Sequence, residues 1–397
     1  VPQRFNAFLD YPAINIAHAS SGPLAGETLA IKDIFDVAGA PTGFGNPDWL
    51  AEHPAASATN RAIDAMFGAG ARYVGKTQCE ELTYSLTGIN VHFPRAINPA
   101  APERVTGGSS SGSAAAVAGG LCSIATASDT GGSVRAPASF CGLIGLRTTH
   151  GRIALDHTCG LAPSFDTFGW YAATPALYAR VGTLLLGSDD DETLLSRPLL
   201  IPELMTYLDD GAARDAFMDM QAGLLAHFPV AARDISLHHS GEQLRLAMAP
   251  LQAAEAWALR GAWIEAKPRN LDPQIRARFE AGRNAEPGHL AQCQAVRQSI
   301  RTQLTDLLAN DGVVVLPTMP GPAPMANMTL DEQQAFRNRA FSLLALSGLT
   351  GLPQITLPLG SVHGAPFGIS LLGPKNSDNR LLALGCALMA DASRGSQ

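Results

Sequence analysis

Gly-Gly-Ser occurs twice in this chain, at Gly107-Gly108-Ser109 and Gly131-Gly132-Ser133, with the two serines 24 positions apart. A serine hydroxyl is a weak nucleophile until a base takes its proton, and amide hydrolysis also needs donors for the oxygen that becomes negative. Gly131 and Gly132 carry no Cβ, so successive N–H groups can turn toward one point and form an anion-binding nest beside Ser133. Phosphate binding is the competing use of such glycines. A phosphate loop of the G-x-x-x-x-G-K-[ST] type needs a lysine beside its glycines, however, and no lysine stands near either Gly-Gly-Ser; the G-x-G-x-x-G pattern is absent. Ordinary turn chemistry accounts for one Gly-Gly-Ser. Two of them bracketing a run of small residues, with Asp129 and Arg135 beside the second, ask for more.

The base must come from elsewhere. No serine elbow served by an Asp and a His is recognised, and His92, His150 and His157 have no assigned partner; each reads as a surface or core residue. Lysine is scarce, with only Lys32, Lys76, Lys267 and Lys375 in 397 residues. In "LAIKDIF", Lys32 follows an apolar strand, where burial lowers a lysine pKa and leaves a neutral amine able to accept a proton. The alternative is a lysine that reaches water from the strand end or pairs with Asp33 or Asp36. Both readings stand on the residues alone.

The elements that position these groups alternate. "ETLAIKDIFDVAG" holds a strand over Leu29 to Ile31 that stops by Gly39, and "ATNRAIDAMFGAGARYVGKTQ" has helical spacing at Ala62, Ile63, Met66 and Phe67 before a strand over Arg72 to Gly75. Such alternation predicts an α/β fold. "SGSAAAVAGGLCSIATAS", residues 111–128, reads as a helix of small residues deep in the core, returning to loop at "SDTGGSV". Pro175 opens a further helix. From Arg197 to about Asn310 the pattern is helical with little strand signal, the expected variable layer over the site. Strands return at "DGVVVLPT", "PQITLPLG" and "FGISLLG", before a closing helix from Asn379 to about Ala390. The expectation is an α/β protein with a single large domain over 1–397, a mixed central β-sheet flanked by helices on both faces. Within it, 28–185 is the catalytic core, 197–310 a helical insertion on the substrate side, and 311–397 the strands and helix completing the sheet.

Composition narrows the function. A content of 46% hydrophobic and 16% charged residues is that of a globule with a large core, and a net charge of −7 argues against a nucleic-acid partner. Six scattered cysteines without a C-x-x-C pair suggest a reducing, cytoplasmic setting. The opening "VPQRFNAFLDYPAINIA" lacks the pattern of a secretory leader. The run from Ala114 to Ala127, interrupted by Gly119-Gly120, falls short of a membrane span.

"VTGGSSSGSAAAVA", "ASDTGGSVRAPASFCGLIGLRTTHG" and "AIKDIFDVAG" together resemble the amidase signature family of Ser-Ser-Lys hydrolases. The likeness covers most of the chain, for "GKTQCEELTYSLTGINVHFPRAINP", "LPTMPGPAP" and "LSGLTGLPQITLPLG" also fit. It implies Ser133 as nucleophile, Ser109 as bridging serine and Lys32 as base. The triple serine 109–111 is ambiguous by itself, and the family's 24-residue separation selects Ser109. The resemblance also implies a cis peptide between Gly108 and Ser109, Ser110 as a supporting donor, and an oxyanion hole from the N–H groups of Thr130, Gly131, Gly132 and Ser133. It implies no metal and no cofactor. Asp129 and Arg135 are close enough to pair across the turn and hold its shape; the other reading has Arg135 grip a substrate carboxylate.

"TGFGNPDWLAEHPAASAT" and "LAPSFDTFGWYA" are similar to the smaller amidases of the indole-3-acetamide type. The expected reaction is hydrolysis of a small aryl- or alkyl-carboxamide to the acid and ammonia. Ureas, carbamates or anilides, a glutaminase-type subunit of a transamidating complex, and a non-catalytic binding protein are the alternatives. Trp257 and Trp263 either line an aromatic acyl pocket or belong to the core. The expected partner is a small-molecule amide, with no nucleic acid and no membrane, and a homodimer is left open.

Overall fold

The computed structural model describes residues 4–189 and 191–395, so the outermost residues of the expected 1–397 domain lie outside the described residues. The strands are β1 (Thr28–Lys32), β2 (Arg72–Thr77), β3 (Ile124–Asp129), β4 (Gly145–Arg147) and β5 (Thr167–Ala172) in the first half. The second half adds β6 (Arg197–Leu200), β7 (Arg233–Asp234), β8 (Gly312–Pro317), β9 (Gln354–Val362) and β10 (Ala365–Leu372).

Leu29, Ala30 and Ile31 are buried because β1 lies inside a sheet of order β2-β1-β3-β5, paired in parallel on both sides. A parallel strand covered on both faces reads as a continuous apolar run, as this one does. Lys32 is the last residue of the strand rather than the first beyond it. Strand β5 is antiparallel to β3, and the remaining strands form a mixed sheet of order β4-β9-β10-β8-β6-β7. The two sheets adjoin where β4 touches β5. The fold is a single α/β domain with mixed sheets.

Helices begin where the sequence supplies caps. They are α1 (Pro47–Glu52), α2 (Arg61–Gly68), α3 (Ser111–Ala118), α4 (Arg135–Cys141), α5 (Pro175–Leu186) and α6 (Gly211–Leu225), followed by α7 (Gly241–Glu265), α8 (Pro273–Arg283), α9 (Pro287–Leu308), α10 (Leu330–Thr350) and α11 (Asp378–Gly395). Asn46, Asn60, Thr174 and Asp272 accept backbone N–H groups at the starts of α1, α2, α5 and α8, and full capping boxes open α7 and α10. Helix α5 packs on β5 and α11, while α7 to α10 pack on one another.

Two expectations are corrected. The stretch 111–128 is not one helix: α3 stops at Gly119-Gly120, with Gly120 at φ 68°, and the chain re-enters the sheet as β3. Two adjacent glycines end a helix where one is tolerated. The stretch 197–310 also contains β6, in parallel pairing with β8. Pro198 disguised it, being depleted in strands and tolerated here because β7 pairs only with Leu199 and Leu200. What the sequence did foresee is the depth of α3. Its residues Ser111 to Val117 are buried, and a Cβ on Gly112 would collide with the backbone of Ala7 and Gln78.

Candidate active site

Lys32 ends β1 fully buried, and its Nζ donates to three hydroxyls: Ser109 Oγ at 2.9 Å, Ser110 Oγ at 2.9 Å and Ser128 Oγ at 2.8 Å. Ser128 lies on the neighbouring β3, two residues from Thr126, whose Oγ1 accepts the Lys32 backbone N–H at 2.9 Å. Alternation along a strand puts both hydroxyls on the same face of the sheet that β1 shares. Burial pushes the Lys32 pKa down to about 8, against the opposing pull of Cys79, Glu80, Asp129 and Asp166. The amine neither reaches water nor pairs with Asp33 or Asp36. Asp33 faces Lys76 at 3.7 Å and accepts from Tyr11, while Asp36 accepts from Thr42.

The peptide between Gly108 and Ser109 is cis. Gly108 must be glycine because a Cβ there would overlap the Glu80 carboxyl group. Glu80 is itself buried and holds the adjoining loop, accepting from Gly88 N at 2.7 Å, Thr87 Oγ1 at 3.0 Å and Thr87 N at 3.1 Å. Ser110 stands at the N-cap of α3 yet makes no capping bond; its hydroxyl faces Lys32 instead. Serine at that position normally closes the helix end, so the local rule yields to the lysine.

Ser133 follows β3 in a turn built around one carboxylate. Asp129 Oδ1 accepts Gly132 N at 2.8 Å, Arg135 Nη2 at 3.0 Å and Arg147 Nη1 at 2.9 Å, and Oδ2 accepts Arg135 Nε at 2.9 Å and Val134 N at 3.2 Å. Burial alone would raise this acid's pKa, but Arg135 and Arg147 outweigh it and hold the group well below the usual carboxylate range. Arg135 is wholly buried, and its remaining Nη1 donates to Leu344 O at 3.1 Å and Gln354 Oε1 at 2.8 Å. Four of its five N–H groups are thus engaged within the protein, two of them on Asp129 across the turn.

The expected oxyanion amides need one correction. Gly132 N–H points at Asp129, whereas Gly131 N–H and Ser133 N–H meet no acceptor among the described residues. The reason is the turn itself: Gly132 has φ +124°, which aims its amide inward. Thr130 is held by both ends, its Oγ1 donating to Asp166 at 2.6 Å and its carbonyl accepting Gln252 Nε2 at 3.0 Å. The Ser133 hydroxyl has no hydrogen-bond partner among the described residues, and the residue as a whole is 5% exposed.

Ser133, Thr130 and Gly131 line a narrow cleft of about 20 Å³ with Tyr84, Gln252, Arg337 and Phe341. Trp257 and Trp263 do not line it. Trp263 donates to Glu52 and packs edge-on against Trp49, while Trp257 packs against Gly261 with Arg283 over its ring, so both side chains serve helix packing. Sequence reasoning missed Ser128, Arg147 and Gln252. The alternating hydroxyls of "TAS" could have pointed to Ser128, and an arginine ending the apolar "GLIGL" could have pointed to Arg147; nothing local marks Gln252. Among the described residues no His, Cys, Asp and Glu side chains group into a metal site. No helix among them is long and apolar enough to cross a membrane.

The chain is matched by the Amidase family model over residues 11–200 and 218–382. It is similar to Amidase 1 of Arabidopsis thaliana, 37% identical over 97% of this chain and 98% of that protein. It is also similar to Amidase 1 of Oryza sativa subsp. japonica, 36% identical over 95% and 93%. Among solved structures, a crystal structure of an amidase superposes with a TM-score of 0.82 at 29% identity, covering 93% of this chain and 85% of that one.

Proposed function

Because this chain belongs to the amidase family and is an amide-hydrolysing enzyme, we propose that it converts a small aryl- or alkyl-carboxamide to the carboxylic acid and ammonia through an acyl-enzyme on Ser133. The observation that carries the proposal is the buried Lys32 amine hydrogen-bonded to Ser109 Oγ beside the cleft that Ser133 lines.

In the proposed sequence, neutral Lys32 accepts the Ser109 proton as Ser109 accepts that of Ser133. The second hand-over requires the Ser109 and Ser133 side chains to bring their hydroxyls to face each other when substrate fills the cleft, by a change of χ1 rotamer. Ser133 Oγ bonds to the carbonyl carbon, and the oxygen takes the negative charge opposite the free N–H groups of Gly131 and Ser133. Ser109 next delivers its proton to the nitrogen, the C–N bond breaks and ammonia leaves, with Lys32 returning a proton to Ser109. Water then adds to the ester by the same relay and releases the acid. The narrow cleft favours a small acyl group. A reducing, cytoplasmic location suits six cysteines that are all unpaired thiols.

The test is labelling of the purified chain by a fluorophosphonate probe, with ammonia release measured over a panel of amides, ureas, carbamates and anilides. Labelling that disappears in Ser133→Ala, together with ammonia from simple carboxamides, is expected. Unlabelled wild-type protein would overturn the nucleophile assignment, and activity on ureas or carbamates alone would overturn the substrate class.

A further inference from the structure

Arg337 lines the same cleft as Ser133. It lies one helical turn before Phe341 on α10, with its Cζ 4.3 Å from the centroid of that ring. Among the described residues no carboxylate pairs with it and no hydrogen-bond acceptor meets it; its Nε is buried without a partner. The buried arginines near the site spend more of their donors within the protein, although Arg147 Nε is also left without a partner. Arg135 and Arg147 spend their N–H groups on Asp129, and Arg297 spends its own on the carbonyls of Leu349 and Ser164 and the Ser164 hydroxyl.

The surroundings sharpen the contrast. Burial and the neighbouring Arg278 push the Arg337 pKa down to about 9, so the group stays cationic at neutral pH while facing a like charge. Glu80, the carboxylate that acts on it from nearby, already gathers the Thr87 and Gly88 donors, and burial raises its pKa. Arg337 is half-buried with its Nε out of reach of water; a partly desolvated guanidinium without a close counter-charge gains from a ligand anion.

We propose that Arg337 is a specificity-determining residue that receives an anionic group on the substrate, so that the preferred amides are short monoamides of dicarboxylic acids. A planar guanidinium stacked on an aromatic ring keeps its N–H edge free for bidentate pairing with such a carboxylate. The inference rests on the amidase reading above and adds a substrate class to it.

The experiment uses the full chain carrying Ser133→Ala, with binding measured by calorimetry for 4-amino-4-oxobutanoate and its neutral counterpart butanamide. The carboxylate-bearing amide is expected to bind about 10- to 100-fold more tightly. Adding Arg337→Met should erase that difference and Arg337→Lys should retain part of it; Arg337→Gln serves where Arg337→Met fails to fold. On the enzyme with Ser133 intact, the ratio of kcat/KM for the two amides should fall by the same factor when Arg337 is replaced. Equal binding of the two amides, or a ratio unmoved by the Arg337 variants, overturns the assignment. Ammonia release from butanamide by the unsubstituted enzyme would leave the amidase reading standing in that case, whereas no ammonia from any amide overturns the amidase reading itself.

Discussion

If Lys32 is the base, the rate should follow its neutral fraction. With a pKa of about 8 in place of the ordinary 10.5, roughly a tenth of the molecules carry a neutral amine at about pH 7 and roughly nine tenths at about pH 9. For a neutral carboxamide assayed by ammonia release, kcat/KM should therefore rise about tenfold between those pH values and flatten above. A lysine left at its ordinary pKa would give about a hundredfold rise and no plateau. The same shift has a stability side. The folded-state pKa is depressed, so between about pH 8 and 10.5 the unfolded chain binds more protons and stability rises with pH. Below about pH 8 the folded state carries the whole cost, about 3 kcal/mol from a shift of this size. Lys32→Met removes that titration. The stability advantage of the variant over wild type should shrink by about 3 kcal/mol across that window in urea unfolding followed at successive pH values. A flat pH–rate profile, or one still climbing at about pH 10, would refute the reasoning, as would stability curves that stay parallel.

Other expectations follow from single contacts. Ser128→Ala takes away one of the three hydroxyls that accept from Lys32; a charged amine with fewer acceptors is less favoured, so the rising limb of the pH–rate profile should move to lower pH by up to about one unit. Gly108→Ala should destabilise the fold by about 1–3 kcal/mol in thermal unfolding and lower activity, because the new methyl group displaces the Glu80 carboxyl. Arg135→Lys breaks a two-point contact with buried Asp129; a loss of about 2–4 kcal/mol is expected in chemical unfolding. A KM change confined to acidic amides would contradict that structural role.

The sequence was informative where chemistry and spacing coincide within one segment. Lys32 stood out as a charge attached to an apolar strand, and the strand proved to be an interior one. Asp129 and Arg135 sit on either side of a glycine turn, close enough in sequence for their pairing to be read directly. Ser128, Arg147, Gln252 and Arg337 come from β3, β4, α7 and α10, and meet only because the sheets adjoin and the helical layer closes over them. No local pattern encodes such convergence. The break within 111–128 was misread for a different reason: alanine-rich runs satisfy a helix and a buried strand alike, and there the two glycines had to decide. The tryptophans mislead in the opposite sense, because an aromatic side chain on a long helix has the same appearance whether it faces a ligand or another helix.

Asp129 joins the end of one strand, the start of α4 and the edge strand β4 through a single pair of oxygen atoms. The reactive serine therefore rides on a knot that cannot slacken by itself: to let the turn breathe, two guanidinium groups and the helix they anchor must come apart as well. Warming such a molecule leaves little room for a folded but idle form, and catalytic competence and the integrity of the sheet are expected to vanish at one temperature.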